Sequence, residues 1–411
     1  MTAKKVLVVG AGAAGLMAAG TAAGYGASVT LLEKNPKVGR KLMITGKGRC
    51  NILNNCDVPA FISNVPVNGR FLNSAISRFT PAETYEFFES LGLPLKTERG
   101  NRSYPQSDKA SDVVDALRRF VLDSGVSIVQ DTAHSLIIES GAVTGVNGEK
   151  QQYYADSVIV CCGGKSYPLT GSTGDGYLLA KQAGHTVTEL KPSLVPLESP
   201  DPECKSMQGL SLKNIALKIT DTNSNKTVYS DFGEMLFTHF GLSGPVILSA
   251  SSHLKNPGDG RYIAEIDLKP ALSVEQLDRR LQRDFSDNIN RDVSNSFSKL
   301  LPRKIIVPVL KRWGVPFDKK CHSVTREERR KLCGILKCFT VPISGFRPIE
   351  EAIVTSGGVK TGEINPKTMG SKLVSGLFFA GEVLDVDAYT GGFNLQIAWS
   401  TGRLAGENAS Y

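Results

Sequence analysis

The sequence predicts an α/β fold in which a Rossmann-like dinucleotide-binding domain is interrupted by a β-rich insertion carrying a helical segment. Three observations predict it. A β-α-β start holds a Gly-x-Gly-x-x-Gly turn. Alternating segments separated by Asn, Asp, Ser and Gly begin near residue 191. Gly-rich α/β texture then returns at Thr355-Ser356-Gly357-Gly358 and continues to the end. The 411 residues, 41% hydrophobic and 21% charged, exceed one typical domain and have the composition of a globular protein.

Val6-Leu7-Val8-Val9 is a short apolar run ended by Gly10; residues 13–25 read as a helix and 28–33 as a second, β-branched strand. Pro81 opens a helix to about residue 91, another helix is expected over 110–123, and strands over 127–130, 134–139 and 143–146. A strand over 157–162 runs into Gly163-Gly164. Stretches 212–220, 227–231 and 261–268 alternate as a small antiparallel sheet or barrel requires. Residues 273–337 lose that period and look helical, with breaks at Pro302, Pro308 and Pro316. The expected organisation is a nucleotide domain at 1–190 and 346–411, a β-rich insertion at 191–270 and 338–345, and a basic helical subdomain at 271–337.

The chemistry starts at Gly10-Ala11-Gly12-Ala13-Ala14-Gly15, placed between strand and helix, with Glu33 lying 18 residues beyond Gly15 at the end of the next strand. Gly10 permits the turn, Gly12 lets backbone approach a pyrophosphate, and Gly15 allows close helix packing; the anion rests on the helix N-terminus. Glu33 would accept from ribose hydroxyls and repel a 2′-phosphate, which disfavours NADP here. The C-terminus decides between FAD and NAD. There, Gly376 to Glu382 reads as a strand delivering a carboxylate to a ribityl hydroxyl. The turn at Gly391-Gly392 then opens a helix through Phe393, Asn394, Leu395 and Gln396, whose amides suit the flavin N1–C2=O edge, where negative charge gathers on reduction. A third cluster, Gly39 to Asn51, offers glycines for close approach and Arg40, Lys41 and Arg49 for phosphates or substrate. Expected cofactor contacts also include Lys34, Gly48, Cys50, Asn51, Ala133, Gly163, Gly164 and Asp175, the last serving equally as a helix cap.

Other classes find little support. The eight cysteines form no C-x-x-C pair and the five histidines no H-x-x-x-H, so no metal site is expected. No run approaches the roughly 18 apolar residues of a membrane span, and no signal-peptide cleavage site is visible, so a cytoplasmic protein is expected. The formal charge of +8 is concentrated: from Lys299 to Lys337, twelve Lys/Arg face only Asp318, Glu327 and Glu328. Such a block attracts polyanions, nucleic acid first, although on charge alone a solvated helical surface is the simpler reading.

The motifs G-R-K-L-x-x-x-G-x-G-R-C-N, T-G-S-T-G-D-G, G-E-M-L-F-T-H-F-G-L-S-G-P (Gly233 to Pro245) and F-A-G-E-V-L-D-V-D-x-x-T-G-G-F-N-L-Q-x-A span nearly the whole chain. Together they closely resemble the BaiN/RdsA-like family of NAD(P)/FAD-dependent flavoproteins. The resemblance implies a two-dinucleotide-type FAD domain with a β-barrel-like insertion and a helical subdomain. The activities attached to the family diverge: reduction of a uridine in large-subunit ribosomal RNA to dihydrouridine, oxidation of aminoacetone, and a step in bile-acid dehydroxylation.

The basic block tilts the expectation toward ribosomal RNA, through Arg303, Lys304, Lys311, Arg312, Lys319, Lys320, Arg326, Arg329 and Arg330, with Trp313, Phe317 and Phe339 able to stack on a base or to fill a core. In that reading the reduced flavin delivers hydride to uracil C6 and a side-chain acid protonates C5: Cys50 by type and placement, with Tyr389 and His239 in reserve. No second Gly-x-Gly-x-x-Gly follows a strand, so NAD(P)H would visit the flavin face only transiently as reductant. The alternatives are a small-amine oxidase using O₂ and a non-catalytic RNA-binding flavoprotein.

Overall fold

The computed structural model describes residues 3–258 and 260–411. In chain order its main elements begin with β1 (Lys5–Val9), α1 (Ala13–Gly24), β2 (Ser28–Glu33), α2 (Ala110–Asp123), β3 (Ser127–Gln130), β4 (Ser157–Val160) and β5 (Lys191–Ser193). They continue with β6 (Ser211–Asp221), β7 (Lys226–Phe237), β8 (Tyr262–Asp267), α3 (Val274–Ser286), α4 (Arg303–Trp313), α5 (Arg326–Lys337) and β9 (Phe339–Ile343). The last three are β10 (Val354–Ser356), β11 (Leu377–Phe379) and α6 (Phe393–Ala409). The chain divides into two compact units, Met1–Ser193 with Ile349–Tyr411, and Leu194–Pro348.

The first unit is built on a five-stranded parallel sheet, order β11-β4-β1-β2-β3. Its central strands are apolar runs because both faces are covered: Val6, Leu7, Val8, Ile159 and Val160 are buried. Helix α1 is almost all Ala and Gly, which lets α6 lie directly on its backbone. A Cβ at Gly402 would stand 2.5 Å from the Ala14 carbonyl oxygen, and one at Gly406 2.4 Å from that of Ala18. Larger residues at either position would lever the C-terminal helix off the nucleotide turn. Strand β5, expected to begin the insertion, instead pairs antiparallel with β10 inside this unit.

The second unit carries a seven-stranded antiparallel sheet, order β9-β8-β6-β7, then the short strands Gly241–Ser243, Leu197–Glu198 and Gly345–Phe346. The two ends of this order are one continuous segment, β9 running through Ser344, whose N–H donates to the Glu198 carbonyl, into Gly345–Phe346, so the strands close on themselves in the barrel-like arrangement expected. Alternation sets its faces, with Tyr262, Ala264 and Ile266 of β8 inside. The helices pack on this sheet: Leu277, Leu281, Trp313, Leu332 and Leu336 share one core with Leu217, Ile266 and Phe339. Ser273 and Thr325 start α3 and α5 with capping boxes to Gln276 and Glu328. Pro308, read as a break, lies within α4 instead. No helix among the described residues is long and apolar enough to cross a membrane, and no cluster of His, Cys, Asp and Glu there could hold a metal.

Candidate functional site

The carboxyl ends of β1, β2, β4 and β11 deliver Gly10, Glu33, Cys161 to Gly164, and Ala380 to Glu382 to one edge of the parallel sheet, where open α/β sheets bind ligands. At the first of these turns a Cβ on Gly15 would stand 1.8 Å from the Gly10 carbonyl oxygen, whereas one on Gly12 would meet nothing within 4 Å. The two glycines therefore differ in purpose: Gly15 is required by packing, and Gly12 keeps space clear. Gly12 gives α1 no side-chain cap, and Ala13 and Ala14 form its first turn, so backbone N–H groups face that space. Glu33 accepts from the N–H of Ala11 at 2.8 Å through one oxygen and from Asn35 through the other, backbone at 2.8 Å and side chain at 2.6 Å. Ala133 lies just beyond Asp131, whose N–H donates to the Glu33 carbonyl.

The C-terminal elements reach the same edge. Gly381 packs on Ala14, where a Cβ would come within 2.7 Å, and its N–H donates to Thr401 Oγ1. Glu382, expected to present a carboxylate to a ribityl hydroxyl, is also held by protein groups. Lys41 Nζ lies 2.7 Å from Oε2, and Oε1 accepts from Ser166 Oγ at 3.1 Å and Thr355 N–H at 3.0 Å. Gly163 and Gly164 bring the end of β4 to this group; a Cβ on Gly164 would stand 2.8 Å from Glu382 Oε1. The α6 N-cap, Gly392, again supplies no side-chain acceptor. Phe393 turns inward onto Phe61, and Leu395 is half-buried.

Several of the expected residues turn their side chains to protein partners. Gln396 points away from the site: fully buried, its Nε2 donates to Phe79 O and to the Thr84 and Ser400 hydroxyls. Asn394 spends its side chain on both backbone groups of Ala388. Of the loop cations, Arg49 is paired with Glu98 and Asp108 over the Tyr104 ring and Lys41 with Glu382, whereas exposed Arg40 donates to the neutral Asn35 side chain and makes no ion pair among the described residues. Lys34 and Asp175 pair with each other at 2.6 Å. Within the loop, Gly48 and Cys50 both take left-handed backbone. Asn51 Oδ1 is buried without a hydrogen-bond partner, an orphaned acceptor of the kind a bound ligand satisfies. Together with the open space at Gly12 and two uncapped helix starts, it fits a dinucleotide lying across this edge.

The proton-donor expectations change most. Cys50 is fully buried, and burial pushes its thiol up to about 12 against the lowering hydrogen bond with Thr45. It is a core thiol, not an exposed acid. His239 is exposed in the second unit with its ring against Phe240. Tyr389 is half-buried, its phenol held protonated by burial and by the charge of Asp387. Asp387 itself was missed. It is 2% exposed, Oδ1 and the nearby Ser193 Oγ each lack a hydrogen-bond partner, and burial pushes the carboxyl up to about 6. The Asp385 and Glu382 charges add to the shift, while the Ser193 and Ser356 hydroxyls work against it. The available signal was a carboxylate in the apolar run Val383 to Ala388, immediately before the Gly-Gly turn.

In the second unit the basic block is partly neutralised. Arg312 pairs with Asp201 and Glu203 and covers Phe339 at 3.6 Å, Lys319 pairs with Glu328, Lys320 with Asp292, and Arg329 with Asp278. Lys304 donates to the Gln208 carbonyl. Arg303, Lys311, Arg326 and Arg330 make no ion pair among the described residues. Trp313 and Phe339 are core residues, and Trp313 stacks on Phe285 at 6.2 Å; Phe317 alone of the three aromatics is exposed.

The sequence model described as HI0933-like protein Rossmann domain matches residues 4–408. Over 411 residues the chain is 30% identical to a 3-dehydro-bile acid delta(4,6)-reductase of Clostridium scindens, covering 99% of each. Over 405 residues it is 31% identical to the ribosomal RNA dihydrouridine synthase of Haemophilus influenzae, covering 96% of each. Among solved structures, a 3-ketosteroid-delta4-(5alpha)-dehydrogenase from Rhodococcus jostii superposes with a TM-score of 0.55 at 16% identity, covering 99% of this chain and 97% of that one. A flavocytochrome c3 fumarate reductase gives 0.53 at 19%, covering 99% and 78%. At those identities the structures speak for the fold alone. The full-length match agrees with the motif resemblance: the chain belongs to the HI0933-like, BaiN/RdsA-like family and is an FAD-dependent oxidoreductase.

Proposed function

We propose that this enzyme reduces a uridine of large-subunit ribosomal RNA to dihydrouridine. Both relatives are named for saturating a carbon–carbon double bond, and in uracil, as in a 3-oxo steroid skeleton, that bond is conjugated to a carbonyl. Bound FAD supplies the two electrons of such a reduction, with NAD(P)H as the transient donor that reloads it. The turn from Gly10 to Gly15 and Glu33 would hold the ADP half, Gly381 and Glu382 the ribityl region, and the α6 N-terminus the N1–C2=O edge of the ring.

Tyr389 is the acid in this reading: its phenol keeps its proton through neutral pH, and Asp387 beside it holds it so. The observation that carries the RNA assignment is the set of unpaired cations, Arg303, Lys311, Arg326 and Arg330, on α4 and α5 of the second unit. Comparison of ribosomal RNA from cells with and without the protein tests it by mass: one uridine should lose the increment of two hydrogens. If every uridine is unchanged, the RNA reading fails. The match to the bile-acid reductase at equal identity favours a second reading, reduction of a small conjugated ketone, and saturation of such a ketone by the purified enzyme with NAD(P)H would then replace it.

A further inference from the structure

Helix α3 lies outside the basic block identified from the sequence, and its residues read as electrically neutral. Its apolar face, Leu277, Leu281 and Phe285, is buried. On the other side Arg279, Arg280 and Arg283, with Leu272 and Gln276, line an open surface depression of about 220 Å³. That is several times the ~30 Å³ of a liquid water, enough for a phosphate with its first waters.

The helix's acids neutralise this cleft only in part. Asp278 is taken by Arg329 of α5 at 2.5 Å, and Glu275 accepts from Ser273 Oγ. Asp284 chelates Arg280 Nε with both oxygens at 2.8 Å. Arg280 is thereby fixed, while Arg279 and Arg283 make no ion pair among the described residues. Gln276 uses its carbonyl oxygen in the capping box, which leaves its amide N–H groups as donors. Close by, burial first and the charge of Arg280 second push the Lys269 amine down. Planar guanidinium forks match phosphate oxygens.

We propose that this arginine cleft on α3 is a phosphodiester-binding site that grips the backbone of the RNA substrate. The proposal rests on the RNA reading above and adds a contact surface that the sequence did not indicate. Because Arg279 and Arg283 are exposed and hold no structural partner, both can be removed without unfolding the unit.

The test measures binding of ribosomal RNA by the flavin-loaded full-length protein across a salt series, for wild type and for R279A/R283A, with flavin absorbance and melting temperature as folding controls. Each lost phosphate contact should lower the log K against log salt slope by about 0.7–0.9, and affinity near 150 mM salt should fall on the order of tenfold. If wild type binds with a steep salt slope and the double variant keeps that slope, the cleft is not a phosphate site although the RNA reading stands. If wild type binds no RNA, both fall. Salt-sensitive capture by phosphatidylglycerol vesicles in place of RNA, lost in R279A/R283A, would likewise overturn the proposal in favour of a membrane surface.

Discussion

Replacing Asp387 with Asn tests the electrostatics of the candidate site. Its carboxyl is pushed from 3.8 to about 6, principally by burial. For an acid raised in the folded state, the native protein binds the proton more tightly than the unfolded chain. Stability therefore falls as pH rises through this interval, and the full cost applies above the folded value. Two units correspond to ~3 kcal/mol at most, with roughly half of it present by about pH 5 and almost none below the unfolded value. Asn keeps the shape and cannot ionise, so D387N should gain on wild type as pH rises. At about 2–4 °C per kcal/mol for a unit of this size, the melting temperature difference at about pH 7.5 should exceed that at about pH 4 by roughly 6–10 °C. Melting both proteins with excess FAD across that range measures it. A difference that stays constant with pH, or that moves against D387N at high pH, would refute the argument that burial outweighs the Ser193 and Ser356 hydroxyls at this carboxyl.

Other perturbations separate packing from function. G12A should fold yet be purified with little flavin, because its methyl meets no protein atom and enters the space kept for pyrophosphate; G15A should be insoluble, since its methyl would strike the Gly10 carbonyl. Flavin absorbance per mole and soluble yield distinguish the two. Arg312→Ala should cost about 3 kcal/mol, as two acids in the core's rim lose their partner, and should change RNA binding less than R303A/K311A does. Denaturant melts and salt-dependent RNA binding read these effects. Y389F should slow single-turnover substrate reduction by roughly 10²–10⁴ while flavin reduction by NAD(P)H is unchanged, whereas C50A should leave both rates intact; slow turnover in C50A alone would restore the buried thiol as the acid.

The parallel sheet and both Gly-bearing helix starts were legible because backbone geometry dictates them. A tight turn, a helix packed on a carbonyl and an uncapped N-terminus each demand glycine at a fixed offset, so Gly10, Gly15 and Gly392 could be read without coordinates. Side-chain roles were less legible. Gln396 and Asn394 stand in a motif beside the expected flavin edge, yet helical periodicity turns one into the core against Phe79 and Thr84, and the other back onto Ala388. Cys50 looked available in a Gly-rich loop, but its thiol is fully buried in the core.

Charge was the quantity most distorted by reading along the chain. The stretch from Lys299 to Lys337 has a large formal excess, yet Asp201, Glu203, Asp278 and Asp292, all outside it in sequence, return to neutralise Arg312, Arg329 and Lys320. Conversely, α3 looks neutral because its acids and arginines alternate, and the fold sorts them: Asp278 and Asp284 are used in ion pairs while Arg279 and Arg283 stay exposed. A salt bridge needs only proximity in space, so local net charge misplaces the positive surface while getting its sign right. If nucleic acid is the partner, the cations that matter should be those left without acidic partners, on α3, α4 and α5. Charge reversal at Arg283 should then weaken RNA binding more than reversal at Lys320, whose charge Asp292 already offsets.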